Sequence, residues 1–124
     1  MPAITATACG KLILLGEHAV VYGSPAIAIP LTSLKVRTTI EPAIGQPQGK
    51  IHITAAFLNI DHDLSELGRD HFLVHTLNLL FSFLGLQQLP TCRIILTSEL
   101  PIAAGLGSSA AIAVSLLRAM SAFL

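Results

Sequence analysis

Residues 91–124 read TCRIILTSELPIAAGLGSSAAIAVSLLRAMSAFL, and this stretch decides the predicted fold. Its first part, Thr91 to Thr97, is an apolar run of strand length, and a loop of small residues follows from Leu100 to Gly107. Ser108 then opens a helix that is expected to run to Leu124. The stretch ends without the Gly, Asn or Pro that usually stops a helix, so we expect the helix to continue in a longer polypeptide.

The loop before this helix has the chemistry of an anion site. Gly105 and Gly107 permit positive φ angles and let a ligand approach the backbone closely. Ser108 and Ser109 stand at the N-cap and in the first turn of the helix, where N–H groups have no internal partner and the helix dipole favours negative charge. Their hydroxyls add donors and a hard oxygen suited to Mg²⁺. The loop therefore predicts binding of nucleotide phosphates; the alternative is a tight turn before a well-capped helix.

The residues upstream alternate between strand-like and turn-like patterns. Apolar or alternating runs predict short strands at Ile4–Ala8, Lys11–Leu15, Ala26–Leu31, Leu34–Glu41 and Lys50–Ala55. The last two flank a Pro- and Gly-rich segment and are expected to pair as a β-hairpin. Residues 59–65 are polar and predict a loop, and helical spacing predicts a helix from Glu66 to Leu84 that Gly85 ends. Strands followed by helices indicate an α+β layer rather than a doubly wound sheet.

The composition argues against several classes of function. Charged residues make up only 11% of the chain and apolar residues 52%. The most apolar stretch covers only residues 110–117, far short of the roughly 20 residues of a membrane span, so we expect further protein rather than lipid to cover the surface. Seven Lys+Arg balance seven Asp+Glu, which argues against binding to nucleic acid or to anionic membranes. The two cysteines do not have the spacing of a metal-binding motif, and the first residues lack the uninterrupted apolar run of a signal peptide. Both observations predict a cytoplasmic protein.

Two motifs resemble a known family. Residues 101–110 have the pattern P-x-x-x-G-L-G-S-S-A, which is neither a P-loop nor a Rossmann fingerprint. The pattern is similar to the second motif of the GHMP kinases, with Ala103 where glycine often stands. Residues 8–23 read ACGKLILLGEHAVVYG and resemble the first motif of that family in its mevalonate kinase version, with Cys9 in place of the usual proline. Between the motifs, only the order of elements matches.

The resemblance implies a fold and a reaction. The fold would be a GHMP kinase amino-terminal domain, with strands like those of a ribosomal-protein fold and helices on one face. Residues 1–124 would be an incomplete part of it, without the carboxyl-terminal domain. The implied reaction is the ATP- and Mg²⁺-dependent phosphorylation of mevalonate to 5-phosphomevalonate, by an enzyme that is a possible homodimer. The family's catalytic aspartate lies beyond the second motif, so the 124 residues alone are expected to bind nucleotide weakly and not to turn over.

The resemblance also assigns roles to residues of both motifs. Lys11 would face the transferring γ-phosphoryl group, and a lysine among apolar neighbours needs an anionic partner unless its head lies in water. Glu17 and His18 would bind the acceptor; the alternative is ordinary loop solvation. Ser109 would ligate Mg²⁺ and Ser108 would contact a phosphate. The implied ATP-binding set is Lys11, Pro101, Ala104, Gly105, Leu106, Gly107, Ser108, Ser109 and Ala110.

Other residues with reactive side chains are interpreted as structural. His71 and His75 have a spacing compatible with a metal, but no third ligand is evident, so we expect helix histidines. Residues 61–63, Asp-His-Asp, are expected to be a solvated loop rather than a cation site, and Cys92 a buried strand residue. Two rival functions remain open. One is another GHMP small-molecule kinase, and the other is a non-catalytic binding or interaction fragment with exposed apolar surface.

Overall fold

The frame of the molecule is a mixed β-sheet with two helices. The computed structural model describes residues 3–15, 22–23, 25–101 and 107–124, except for the side chains of residues 14 and 15. Within these ranges the elements are β1 Ile4–Leu15, β2 Ile27–Pro42, β3 Ile51–Ala55, β4 Ile60–Asp63, α1 Phe72–Leu84, β5 Cys92–Ser98 and α2 Ser108–Phe123. The strand order is β1-β2-β5-β3-β4; β3 and β5 are parallel, and the other neighbours are antiparallel. The predicted α+β class is confirmed.

The predicted β-hairpin between β2 and β3 is wrong, because β5 lies between these two strands. The register of β5 places Ile40, Ile94 and Ile53 in one row across three strands. All three side chains are fully buried, each with 0% exposure. Alternation along a strand fixes which face is buried but does not name the neighbouring strand. The partner of β2 comes some fifty residues later in the chain, out of reach of a local pattern.

The first two strands are longer than predicted. The runs Ile4–Ala8 and Lys11–Leu15 join in β1 across a register shift between Cys9 and Gly10. Cys9 pairs with Lys35 and Gly10 with Leu31, so the irregularity takes up three extra residues of β2 while β1 continues, and the broken alternation was wrongly interpreted as two strands. The two runs predicted within residues 26–41 likewise form one strand, β2.

Two further boundaries differ from prediction. Residues 59–65 contain the edge strand β4 and not only a loop. The helix predicted from Glu66 begins at Phe72, because the Glu66 carboxylate accepts a hydrogen bond from the Asp63 N–H at 2.9 Å and closes a short 3₁₀ turn. His71 is the N-cap of α1, and its Nδ1 accepts from the Leu73 N–H at 3.2 Å.

One face of the sheet carries the hydrophobic core. Helix α2 packs against β1 and β2, and α1 packs beside α2. Buried side chains of both helices form one cluster with those of β2, β3 and β5, which confirms helices on one face. Cys92 belongs to this cluster, and burial raises the pKa of its thiol to about 11, as expected for a buried strand residue.

A single polar contact crosses the buried interface between β2 and α2 within the described residues. The hydroxyls of Thr38 and Ser115 lie 2.8 Å apart, and both residues have 0% exposure. Ser115 donates its hydrogen to the Ile112 carbonyl at 3.1 Å, so Thr38 is the donor between the two hydroxyls. Because both groups are cut off from water, each depends on the other. The contact fixes where α2 lies on the sheet.

We expect Ser115→Ala to lower the free energy of unfolding by about 1–3 kcal/mol, because the buried Thr38 hydroxyl loses its acceptor. Chemical denaturation of the purified protein measures this, with Ser121→Ala on the exposed side of α2 as the matched control. The double variant Thr38→Val/Ser115→Ala should lose less than the sum of the two single losses. Additive losses would show that the hydroxyls do not depend on each other.

Candidate functional site

The side chain of Lys11 meets the start of α2. Lys11 lies in β1 just after the register shift at Gly10, and α2 begins at Ser108. A Cβ placed on Gly107 would lie 2.9 Å from the Lys11 Cγ and 3.4 Å from its Cε. A side chain at this position would have to displace that of Lys11, which favours glycine there. The contact brings together two motifs that lie almost a hundred residues apart in sequence.

Gly107 is also the N-cap of α2. Its φ of +74° is left-handed, a conformation that glycine adopts without strain. Among the residues that the structure describes, no side chain caps this helix, which corrects the prediction that Ser108 stands at the N-cap; Ser108 and Ser109 are the first two helical residues. Ser108 is half-buried, whereas Ser109 and Ala110 are exposed. The N–H groups of this first turn therefore have neither an intrahelical partner nor a side-chain cap.

A groove of about 180 Å³ runs between β1 and α2, and Lys11 forms part of its lining. Its lining residues are Ala8, Cys9, Lys11, Gly107, Ala110, Ala111, Val114 and Arg118. Arg118 donates from Nη1 to the Thr7 carbonyl at 3.0 Å and so ties α2 to β1. The groove has two cationic side chains and no acidic residue among those that line it.

A second cavity, of about 300 Å³, borders the other side of the α2 N-terminus. Its lining is mainly apolar and consists of Leu58, Ile60, His71, Phe72, Ser108, Ser109 and Ile112. Ser108 and Ser109 thus stand between a cationic groove and an apolar cavity. This arrangement could hold a molecule with an anionic part and a flat apolar part.

The structure covers only part of the predicted site. Lys11, Gly107, Ser108, Ser109 and Ala110 come together at the start of α2. Pro101 is exposed at the end of the segment that follows β5. Glu17, His18, Ala104, Gly105 and Leu106 lie outside the described residues, so their roles stay predictions.

Several further polar residues have structural roles in the described ranges. His71 caps α1 and lines the apolar cavity, and across the described ranges no group of His, Cys, Asp and Glu could hold a metal. Asp61 and Asp63 are not a solvated loop, because both contact His52 from β4. Arg118 was missed; it is the only charged residue after Glu99 and follows Gly107 by about three helical turns on the same face. That spacing was the available signal.

Comparison with known proteins connects this geometry to a family. The family model for the GHMP kinases N terminal domain matches residues 71–124. The mevalonate kinase of Archaeoglobus fulgidus is 36% identical over 121 residues, covering 94% of this chain and 37% of that protein. The mevalonate kinase of Thermococcus sibiricus is 33% identical over 133 residues, covering 95% of this chain and 38% of that protein. The crystal structure of the Methanococcus jannaschii mevalonate kinase matches with a TM-score of 0.83 at 26% identity, over 98% of this chain and 40% of that chain.

The fold is therefore that of a GHMP kinase N-terminal domain. Within that family it is similar to mevalonate kinases over nearly its whole length. The chain spans only 37–38% of the length of these two curated relatives. Among the described helices, none is long and apolar enough to cross a membrane.

We expect Gly107→Ala to lower the free energy of unfolding by about 1–2 kcal/mol, because alanine is strained at a positive φ and its Cβ displaces Lys11. Chemical denaturation measures the effect. Gly68→Ala is the matched control, since a Cβ at Gly68 meets nothing within 4 Å. Equal stability of the two variants would contradict the close contact between Lys11 and Gly107.

Proposed function

We propose that this chain is the nucleotide-binding part of an ATP-dependent kinase that phosphorylates mevalonate. The observation that carries the proposal is the position of Lys11 against Gly107, at a helix N-terminus that no side chain caps. The acceptor follows from the named relatives, which are mevalonate kinases similar to almost the whole chain. The complete activity belongs to a polypeptide with the length of those relatives.

In this proposal the first turn of α2 holds the phosphates. The N–H groups of Ser108, Ser109 and Ala110 donate to phosphate oxygens, and the helix dipole adds positive potential. Lys11 lies beside the same turn and offsets the negative charge that develops on the transferring γ-phosphoryl group. Phosphoryl transfer needs little covalent help from a protein, so position and charge are what these residues contribute.

The Ser109 hydroxyl is the proposed Mg²⁺ ligand. The hydroxyl is exposed at the first turn, and the helix does not use it as a cap. One serine oxygen alone does not complete the coordination of a magnesium ion. Mg²⁺ is usually held by one or two protein ligands together with phosphate oxygens and water. When bound, the ion would neutralise charge between the phosphates. The other protein ligand would come from outside the described residues.

The apolar cavity beside Ser108 and Ser109 is the proposed place for the nucleotide base. Its volume of about 300 Å³ lies at the lower end of the range for small-molecule sites. Apolar side chains of Ile60, Phe72 and Ile112 form much of its lining. A base held there would leave its phosphates to run along the first turn of α2 toward Lys11.

The acceptor site stays a prediction from the resemblance. Glu17 and His18 are proposed to bind the acceptor through its hydroxyl and carboxylate groups. Another GHMP small-molecule kinase is the second candidate, because the described residues near Lys11 fit a phosphate donor without selecting an acceptor. A homodimer of the longer protein also stays a prediction. Two free cysteines fit the proposed cytoplasmic location, where thiols stay reduced.

We expect Lys11→Met in the full-length protein to lower kcat for ATP and mevalonate by about 10²–10³-fold, because a charge positioned for the transition state is lost. Steady-state assays of ADP release measure this, with Lys50→Met at the start of β3 as the control. Loss of less than about threefold would contradict the role of Lys11. Faster turnover of another alcohol than of mevalonate in the unmutated protein would favour the second candidate.

The 124-residue chain by itself should release no ADP above background and bind ATP weakly, because no acidic residue that could act as catalytic base or second magnesium ligand is among the described residues that line the Lys11 groove. The same assay, with calorimetric titration of ATP and Mg²⁺, checks both points. Efficient turnover by this chain alone would overturn the assignment of the missing groups to the rest of the protein.

A further inference from the structure

The outer face of the sheet holds a histidine between two carboxylates. His52 of β3 faces β4, and its Nδ1 lies 2.8 Å from Asp63 Oδ1. Its Nε2 lies 2.7 Å from Asp61 Oδ1. Both carboxylates belong to the edge strand β4, and the His52 side chain is 36% exposed. One ring thus contacts two successive outward-facing residues of its neighbouring strand.

The two contacts together define the protonation state of the ring. A carboxylate only accepts hydrogen bonds, and a neutral imidazole has only one N–H to donate. At these distances a neutral ring would turn a nitrogen lone pair toward a carboxylate oxygen. We propose that His52 is held as an imidazolium and acts as a pH-dependent staple that fixes the edge strand β4 to β3.

The surrounding charges favour this state. In register, His52 lies between Arg93 of β5 and Asp63 of β4. Arg93 is a like charge, but its Nη1 lies 3.9 Å from the carboxylate of Glu41 on β2. The row across the sheet therefore consists of Glu41, Arg93, His52 and Asp63, in that order. Each of the two basic residues has an acidic residue as its other neighbour in the row.

Two further side chains contact the two carboxylates, and two neighbouring groups bond to the backbone beside them. Lys50, the residue just before β3, places its Nζ 3.7 Å from Asp63 Oδ2. The Thr54 hydroxyl donates to Asp61 Oδ1 at 3.2 Å, and the Asp63 N–H donates to Glu66. His62 accepts from the Asp61 N–H through its own Nδ1 and does not enter the staple. The contacts with His52, Thr54 and Lys50 lower the pKa of the two carboxyl groups and so keep them ionised at neutral pH.

The titration of the staple follows from these contacts. Hydrogen bonds to Asp61 and then Asp63 raise the pKa of His52 above its ordinary value of 6.5. The stabilisation is therefore complete below pH 6.5 and is lost as pH rises through the raised value. The same bonds lower the pKa of Asp61 and of Asp63 below 3.8, so the staple also fails when strong acid protonates them.

Strand β4 depends on such support because it is short and lies at the sheet edge. It has four residues and pairs only with β3 among the described strands. Its first residue, Ile60, lines the apolar cavity next to Ser108 and Ser109. Loss of the proton from His52 should therefore loosen one wall of that cavity. The inference does not require that a nucleotide binds there.

The experiment combines ring ¹⁵N NMR with hydrogen exchange on the purified protein between pH 5.5 and 9. In the unmutated protein both ring nitrogens of His52 should carry protons at pH 6.5, and the midpoint should lie above that value. Amides of β4 should exchange about two- to fivefold faster, beyond the intrinsic pH effect, once His52 loses its proton. His52→Gln should abolish this extra step, and the exposed-helix control His75→Gln should retain it.

Asp61→Asn provides a second variant if His52→Gln does not fold. It removes one carboxylate at a side chain that is 76% exposed, so the fold should persist while the His52 midpoint falls. A single protonated ring nitrogen at pH 6.5, an unchanged midpoint in Asp61→Asn, or an exchange step that survives in His52→Gln would each overturn the staple. Failure of the kinase assay would leave these readouts intact.

Discussion

Strand β5 satisfies the backbone hydrogen bonds of β2 on one side and of β3 on the other, and most of the structure depends on this arrangement. It aligns the buried row of Ile40, Ile94 and Ile53, on which the helices pack. Leu100, two residues after the strand, is 4% exposed and anchors the chain before it leaves toward α2. Because β5 is central in the sheet, the chain up to Leu100 is anchored in the most buried part of the domain.

The site depends on this attachment together with one close approach. Gly107 has no side chain, so the stem of Lys11 lies against the first turn of α2. On the same helix, Ser115 bonds to Thr38 of β2 and Arg118 bonds to the Thr7 carbonyl of β1. These contacts hold the helix against the two strands from its middle to its last turns. A positive side chain and a set of free N–H groups are thereby kept side by side, as an anion site requires.

The local parts of this account could be predicted from sequence, and the non-local parts could not. Strand β5 and helix α2 have signals within a few residues, namely apolar alternation and serines at a helix start; the loop of residues 102–106 lies outside the described residues and stays a prediction. The contact between Lys11 and Gly107 could be predicted only from the resemblance to a family in which both motifs belong to one site. The pairing of β5 with β2 depends on residues far apart in sequence, and strand alternation does not specify it.

Polar residues were the other source of error. Asp61 and Asp63 looked like a solvated loop, since their partner His52 lies on another strand and a polar outer face gives no apolar alternation. The serines were expected to cap α2, but a glycine does so and leaves their N–H groups open. In both cases the side chain has a role that its neighbours in sequence do not reveal.

The most direct test of the site is a crystal structure of the full-length protein with a non-hydrolysable ATP analogue and Mg²⁺. The account predicts β- and γ-phosphate oxygens within hydrogen-bonding distance of the Ser108 and Ser109 N–H groups, with the Lys11 Nζ beside the γ-phosphate. It also predicts the base in the cavity lined by Ile60 and Phe72. Phosphates bound away from the first turn of α2, with Lys11 in solvent, would contradict it.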